Sequence, residues 1–319
     1  MTNNWRMWGS LMKKGFITIA TGDERYYRMA RTLLRSYRQT CTDPLPFALI
    51  ADRENEFTSE FDSVIILEHP SYSWMDKLSL LQVCPFDENI FIDADCLIYQ
   101  DINFLWESFS AADDFSCFGK VLPMESHEGW FTAEAAQVYP IKFITHLHGI
   151  CYFIRKGDAV NRMSALCEEI IDNYGAVQYK GFNDQLADEP VFALAMAILD
   201  FKPIERKAEY YCFVPFATEI NTNYYKKAVT FSNPKDGQMH RCHIVHWGNQ
   251  NTKKYPYRFD AKIVNTLEKN NQIGFLQYCL FEKELLKYIY QIQDKFSAIN
   301  SRVSYLCKRL FSKFSHKDH

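Results

Sequence analysis

Short apolar runs alternate with amphipathic segments along the first hundred residues. The runs are rich in β-branched residues, which predicts buried strands, and the segments between them repeat apolar residues at helical spacing. The predicted strands are 15–20, 47–51, 64–67 and the run that begins at residue 89, and the predicted helices are 24–39 and 76–83. This alternation is typical of a mostly parallel sheet with helices on both faces, so the predicted fold class is α/β.

The alternation weakens after Asp101. Residues 119–148 show no clear period, which predicts a long loop that is functional or mobile. Further predicted elements are strands at 150–154 and 243–246, helices at 158–174 and 188–199, and two amphipathic helices at 278–296 and 299–314. We therefore divide the chain into an N-terminal extension (1–14), a main domain (15–270) and a C-terminal amphipathic helical tail (271–319).

Two carboxylates, Asp93 and Asp95, interrupt the apolar run that begins at residue 89. Alternate residues of an extended chain share a face, so these carboxylates would repel each other unless a cation lay between them. Mg²⁺ and Mn²⁺ prefer oxygen ligands and keep positions open for water or phosphate, so the pair predicts a metal and phosphate site. The alternative interpretation is a solvated turn between two strands.

Ligands of parallel α/β sheets bind beyond the carboxyl ends of the strands. Thr21-Gly22-Asp23 follows the first predicted strand, and Asp93-Ala94-Asp95 follows the fourth. Both segments are expected at the same edge of the sheet, where a nucleotide and a metal would meet.

The composition limits the classes of protein to which the chain can belong. A chain of 319 residues with 47% hydrophobic and 24% charged residues is typical of one large globular domain with additions. The net charge of −3 gives no reason to expect a nucleic acid partner, and no pattern indicates an oligomeric state. The ten cysteines form no CxxC pair, which predicts buried free thiols in a reducing compartment.

No apolar run approaches the roughly 20 residues of a membrane span, and no apolar segment follows the N-terminal charges. We therefore expect a cytoplasmic protein rather than a secreted or membrane-anchored lumenal one.

Three segments carry a resemblance to a known family: Ala20-Thr21 at the end of the first strand, Lys77-Leu78 at the start of a helix, and FIDADCLI followed by YQDI. In these segments the chain resembles the GT-A glycosyltransferases, and glycosyltransferase family 8 in particular. In that family the DxD motif binds manganese, and the metal binds the diphosphate of a nucleotide sugar, usually a uridine one. The resemblance implies a GT-A fold, Mn²⁺ (or Mg²⁺) as cofactor, and a nucleotide-sugar donor. It makes Asp93 and Asp95 metal ligands, and the implied donor-binding positions nearby are Ala20, Thr21, Asp23, Lys77 and Ala94.

The family supplies a third ligand from an H-x-x-G-x-x-K-P-W-like motif, which corresponds here to the segment that begins at His246-Trp247-Gly248. The resemblance implies that His246 binds the metal and that Gly248 lies at the cofactor. The lysines come one or two positions late, so Lys253 or Lys254, or neither, would bind phosphate. Two other interpretations of His246 stay open. It fits an ordinary strand histidine, since residues 240, 242, 244 and 246 would share a face, or a soft-metal site, although known zinc spacing is absent.

Two further segments fit the family. The backbone at His148-Gly149 is expected to approach the donor sugar. Asp188-Glu189 takes the place of an Asp-Gln pair that contacts the transferred sugar, and Asp184-Gln185 is the alternative alignment. We prefer Asp188 because a carboxylate at a helix N-terminus with Pro190 in the first turn is a coherent start signal.

The resemblance implies a metal-dependent hexosyltransferase of glycan biosynthesis that moves a sugar, UDP-linked in the usual case, to a glycan or glycolipid acceptor with retention of configuration. One alternative is a non-catalytic relative that binds a nucleotide sugar or glycan. The other is a phosphatase of the haloacid-dehalogenase type. In that class the DxD pair follows the first strand and precedes small hydroxyl residues, whereas here it precedes Cys96-Leu97.

The C-terminal tail is basic and amphipathic. Its cations at 302, 308, 309, 313 and 317 alternate with an apolar stripe. Such a helix is typical of peripheral contact with a membrane, here the inner face. The equally weighted alternative is a tail that packs on the main domain or on a second subunit.

Overall fold

The computed structural model describes residues 13–126, 128–131, 133–177, 186–233 and 236–267, together with positions 292, 295, 296 and 299. Apart from those four positions, the predicted tail lies outside the described residues, as do Asp184 and Gln185. The strands are β1 (Lys14–Ala20), β2 (Phe47–Ala51), β3 (Ser63–Ile66), β4 (Glu88–Ile92), β5 (Cys96–Ile98), β6 (Phe115–Leu122), β7 (Ile144–Arg155), β8 (Tyr211–Phe213), β9 (Glu219–Asn223), β10 (Ala228–Ser232), β11 (Met239–Arg241) and β12 (Ile244–His246). The α-helices are α1 (Glu24–Thr40), α2 (Leu80–Val83), α3 (Phe104–Ser108), α4 (Asp158–Asp172), α5 (Asp188–Leu199) and α6 (Tyr255–Leu267).

A six-stranded sheet in the order β3-β2-β1-β4-β7-β6 forms the centre of the fold. The strands β3, β2, β1 and β4 are parallel to one another. β7 pairs antiparallel with both β4 and β6, so it alone runs against the other five. The predicted mostly parallel sheet is confirmed.

Two apolar cores lie on the opposite faces of this sheet, because successive side chains of a strand alternate. Along β1, Phe16 and Ala20 pack in the core that contains α1 and α6, and Ile17 packs in the core that contains α4 and α5. β2 and β4 divide their residues between the two cores in the same way. Helices therefore cover both faces, as the α/β fold class predicts.

Two small sheets flank the central one, in the orders β5-β12-β8 and β11-β10-β9. β12 pairs antiparallel with β5, which sets His246 directly opposite Cys96. Because β11 and β12 belong to different sheets, the predicted strand from 243 to 246 does not extend back to His240. The interpretation that residues 240, 242, 244 and 246 share one strand face is wrong.

Two predicted elements differ from the structure. Residues 119–148 are not one long loop, because β6 continues to Leu122 and β7 begins at Ile144. The predicted strand 150–154 is thus the second half of a twelve-residue strand. The predicted helix 76–83 is a 3-10 helix, Trp74–Ser79, followed by the single turn α2.

The eight cysteines in the described ranges are buried and free, as predicted. Within the same ranges, no helix is both long enough and apolar enough to cross a bilayer.

A buried hydrogen bond joins the segment after β5 to α6, and it offers a test of this packing. The Tyr99 hydroxyl donates to Asp260 Oδ2 at 2.6 Å, and both residues are buried. Tyr99→Phe is expected to lower the free energy of unfolding by about 1–3 kcal/mol, because a buried carboxylate loses one of its donors. The check is urea unfolding beside the exposed Tyr225→Phe, for which less than about 0.5 kcal/mol is expected. Equal effects of the two variants would contradict the packing.

Candidate active site

The Asp93-Ala94-Asp95 segment is a tight turn between β4 and β5. Cys96 N donates to Asp93 O at 3.1 Å, and Asp93 N donates to Ile150 O at 3.0 Å on β7. The two carboxylates therefore do not sit in an extended strand, and the argument from strand alternation is wrong. The turn of the alternative interpretation is present, but it is not solvated, since Ala94 is buried and the Asp93 and Asp95 side chains are only 20% and 13% exposed.

His246, at the end of β12, lies between these two carboxylates. Its Nε2 is 2.9 Å from Asp95 Oδ1 and 3.7 Å from Asp93 Oδ2, and its ring stacks on Phe213 with the centroids 4.8 Å apart. Burial acts to lower the pKa of His246, but Asp95 raises it overall. Burial acts to raise the pKa of Asp95, and His246 lowers it overall. The two side chains thus form an ion pair.

Lys77 supplies the second cation of the site. Its Nζ donates to Asp93 Oδ2 at 2.9 Å and to Gly149 O at 3.4 Å, and it lies 3.6 Å from Asp188 Oδ2. Burial acts to lower the pKa of Lys77, but Asp188 and Asp93 raise it overall, so the ammonium stays charged. Its side chain is only 12% exposed, so Lys77 is a buried member of the site and not a solvated surface lysine.

The first turn of α5 brings two more carboxyl groups to the same place. Asp188 is buried and accepts from the Tyr152 hydroxyl at 2.8 Å, and Glu189 Oε1 accepts from Gly149 N. A Cβ at Gly149 would lie 2.7 Å from Glu189 Oε1 and 2.8 Å from the Tyr152 oxygen, so the close approach requires glycine. Burial and then the charge of Asp188 raise the pKa of Glu189 to about 7.

The loop between β1 and α1 reaches the same edge of the sheet, after the buried Ala20. The Thr21 hydroxyl donates to Asp76 Oδ2 at 2.6 Å. Gly22 has a φ of 75° and donates its N–H to Asp52 Oδ1 at 2.9 Å. Asp23 caps α1 by accepting from Arg25 N at 2.9 Å. The loop is therefore held from both sides before any ligand binds.

The remaining predicted positions lie on β7 or follow β12. His148 on β7 packs its ring 5.3 Å from that of His146. Gly248 forms the turn after His246 with a φ of 68°. Lys253 and Lys254 are exposed, at the end of the 3-10 helix Asn251–Lys253 and just after it. The structure leaves the phosphate-binding role of these lysines a prediction.

Sequence reasoning missed three side chains of the site. Tyr152 offered a signal, since a hydroxyl within an apolar strand needs a partner. Cys96 directly follows the carboxylate pair, but its apolar sequence context predicts only a buried free thiol. Phe213 gave no signal, because its contact with His246 depends on the pairing of β8 with β12.

The donor atoms present fit a divalent cation. Asp95, Cys96 and His246 offer an oxygen, a sulfur and a nitrogen that lie within 4.8 Å of one another. Asp95 Oδ1 is buried and accepts no well-aligned hydrogen bond from the described residues, although His246 Nε2 is close. A carboxylate oxygen, a cysteine sulfur and an imidazole nitrogen are all ligand types of divalent metal sites in proteins.

Comparison with known proteins places the chain among distant structural neighbours. No family model matches the chain, and no curated protein matches its sequence significantly. The galactosyltransferase LgtC, solved with donor and acceptor sugar analogues, aligns over 80% of this chain and 95% of its own at 11% identity, with a TM-score of 0.47.

Two further solved structures align in a similar way. The bifunctional glycosyltransferase WbbM aligns over 79% of this chain and 49% of its own at 11% identity, with a TM-score of 0.45. Mouse xyloside xylosyltransferase 1 aligns over 75% of this chain and 99% of its own at 12% identity, with a TM-score of 0.44. All three TM-scores lie below 0.5, so an activity has to be inferred from the site itself.

The role of Lys77 as a structural cation can be tested by stability. Lys77→Met leaves Asp93 and Asp188 without their shared ammonium and is expected to cost about 3–5 kcal/mol in the free energy of unfolding. Lys77→Arg restores the charge and should recover most of this loss. The measurement is urea unfolding at pH 7, with the exposed Lys253→Met as the matched control. A Lys77→Met variant as stable as that control would show that the contacts contribute nothing.

The raised pKa of Glu189 predicts a pH-dependent stability. Because the pKa in the fold is about 7 against an ordinary value of 4.5, the fold favours the protonated carboxyl. Below its unfolded pKa, Glu189 then has no effect on the free energy of unfolding. As the pH rises to about 7, Glu189 lowers this free energy by an increasing amount. Glu189→Gln keeps the acceptor for Gly149 N and removes this cost.

The stability advantage of Glu189→Gln over the wild type should grow by up to about 3 kcal/mol between pH 4.5 and 7 and stay level above. Urea unfolding of both proteins across this range measures it. An advantage that is independent of pH would contradict the raised pKa.

Proposed function

We propose that the chain is a metal-dependent glycosyltransferase that moves a hexose from a nucleotide diphosphate sugar, UDP-linked, to a glycan or glycolipid acceptor. The observation that carries this proposal is the meeting of Asp95, His246 and the Lys77 ammonium at the carboxyl edge of a parallel sheet, beside the β1–α1 loop. Ligands of such sheets bind at this edge.

The chemistry of the reaction explains why this set of groups is useful. Breaking a sugar–phosphate bond leaves an anionic diphosphate, so the main requirement is positive charge held where that charge develops. A divalent cation held by Asp95 and His246, with Asp93 beside them, would supply Lewis-acid stabilisation. Lys77 adds a fixed ammonium within hydrogen-bond distance of Asp93.

The α5 carboxyl groups are suited to orient the donor sugar. Asp188 is fixed by Tyr152, and Glu189 is fixed by the backbone of Gly149, so neither side chain has to be ordered when a sugar binds. Carboxylates held in this way accept hydrogen bonds from sugar hydroxyls. We include retention of configuration in the proposal, as the resemblance to family 8 implies.

Cellular location belongs to the proposal as well. We propose a cytoplasmic enzyme whose basic tail contacts the inner face of a membrane. The support is the charge and apolar pattern of residues 297–319, and the acceptor would then be a lipid-linked or surface glycan.

One observation favours a second candidate, a non-catalytic relative that binds the donor. Three of the four carboxyl groups, Asp93, Asp95 and Asp188, already have a cationic partner in Lys77 or His246, so most of the acidic charge is balanced without a metal. Such a protein would bind a nucleotide sugar without turning it over.

The proposal is tested with the purified chain, Mn²⁺ and a panel of nucleotide sugars, by measuring sugar release in the absence of an acceptor. Turnover of one donor that stops with a chelator and returns with metal is expected. Asp95→Asn and His246→Ala should each lower the rate by about a hundredfold or more, because each removes a group that fixes charge at the leaving phosphate. The exposed Asp236→Asn on the β10–β11 turn is the matched control.

Two other outcomes would count against the transferase. Saturable binding of a nucleotide sugar with no turnover would support the non-catalytic relative. Hydrolysis of simple phosphate esters, with no effect on nucleotide sugars, would support the haloacid-dehalogenase type of phosphatase.

A further inference from the structure

The pairing of β5 with β12 places a thiol beside the metal-binding groups. In this antiparallel pair Cys96 lies directly opposite His246, and side chains directly opposite each other extend from the same face of a sheet. Cys96 Sγ lies within 4.8 Å of both the Asp95 and the His246 donor atoms. The residue is fully buried, so its sulfur faces this cluster and the surrounding core rather than solvent.

The two aspartates of the turn have different partners. Asp93 Oδ2 is bonded to Lys77 Nζ at 2.9 Å, whereas Asp95 Oδ1 lies 2.9 Å from His246 Nε2 and, within the described part of the chain, accepts no well-aligned hydrogen bond. The donor atoms of Asp95, Cys96 and His246 lie within 4.8 Å of one another. Asp93 Oδ2 is also near, at 3.7 Å from His246 Nε2, so the sulfur is an additional donor beside the carboxylate pair.

We propose that Cys96 is a protein ligand of the cation, together with Asp95 and His246, and that the site therefore prefers thiophilic divalent cations such as Zn²⁺, Co²⁺ and Cd²⁺ to Mg²⁺. This inference rests on the metal dependence in the proposed function. Thiolate and imidazole ligands favour these ions, whereas Mg²⁺ favours oxygen ligands alone. Three protein ligands leave a position open, as catalytic zinc sites do.

Binding replaces the S–H bond of Cys96 and the N–H bond of His246 that faces Asp95 with bonds to the metal, and both protons pass to the buffer. No oxidation or reduction is involved. The sulfur remains shielded from solvent, so its role is to bind the metal rather than to react as an exposed thiol.

The test is a titration of the full chain with Co²⁺ alone, followed by absorption spectroscopy. Cysteines 279 and 307 lie outside the described ranges, so the titration uses a Cys279→Ser/Cys307→Ser background. A thiolate-to-cobalt charge-transfer band that saturates at one ion per chain is expected. Cys96→Ser should abolish the band and weaken Zn²⁺ binding at least tenfold, while Mn²⁺ binding changes less than threefold.

Cys212→Ser is the matched control. Cys212 is equally buried on the neighbouring strand β8, where it pairs with Val245 rather than His246, so its side chain lies on the opposite face. The band should be unchanged in this variant. If Cys96→Ser does not fold, the parent spectrum and the ¹¹³Cd NMR shift of the cadmium-loaded parent still report whether sulfur is a ligand.

Cobalt binding without a thiolate band, or a band that persists in Cys96→Ser, would overturn the proposal, as would the absence of cobalt binding. The spectrum does not depend on catalysis, so the inference and the function fail separately. A Cys96-dependent band in a protein without transferase activity would support the metal site and contradict the proposed function. Metal-dependent transfer without the band would support the function and contradict thiolate binding.

Discussion

The structure depends on the balance of charge at one edge of its central sheet. Four carboxyl groups, from Asp93, Asp95, Asp188 and Glu189, meet there with two cations, Lys77 and His246. Unpaired charges that are largely shielded from water cost several kcal/mol each, so removing either cation would destabilise the fold. Burial, together with the charge of Asp188, raises the pKa of Glu189, so this acid holds its proton to higher pH. The two cations do not match four acids, and a divalent cation would complete the balance.

Each member of this cluster comes from a different part of the fold. The turn after β4 carries two aspartates, β12 carries the histidine, the 3-10 helix after β3 carries the lysine, and the first turn of α5 carries the remaining acids. Gly149 on β7 closes the arrangement, because only a residue without a Cβ permits Glu189 and Tyr152 to approach. The cluster is thus assembled by tertiary packing, and the scaffold holds it without a ligand.

The parts of this arrangement that depend on local pattern could be predicted from the sequence. The alternation of strands and helices predicts the α/β class. The position of Asp93 and Asp95 after an apolar strand predicts that they lie at the carboxyl edge of the sheet. The parts that depend on pairing could not. The twelve-residue β7 was hidden because His146 and His148 interrupt its apolar pattern, and the contact of Cys96 with His246 requires a register between distant strands. Asp93 and Asp95 do lie close to His246, but a turn brings them there rather than the alternation first invoked.

Lys77 links the two halves of the site. Its ammonium contacts Asp93, beside the candidate cation, and Asp188, on the helix suited to orient a sugar, and its distance to Gly149 O ties both to β7. A motion of this one side chain would therefore disturb the carboxylate turn and the start of α5 together. Because Asp93 is bound to Lys77, an ion held by Asp95, His246 and Cys96 need not compete with the ammonium for the same oxygen. In the proposed transferase, the ion and the ammonium would then stabilise one departing diphosphate without displacing each other.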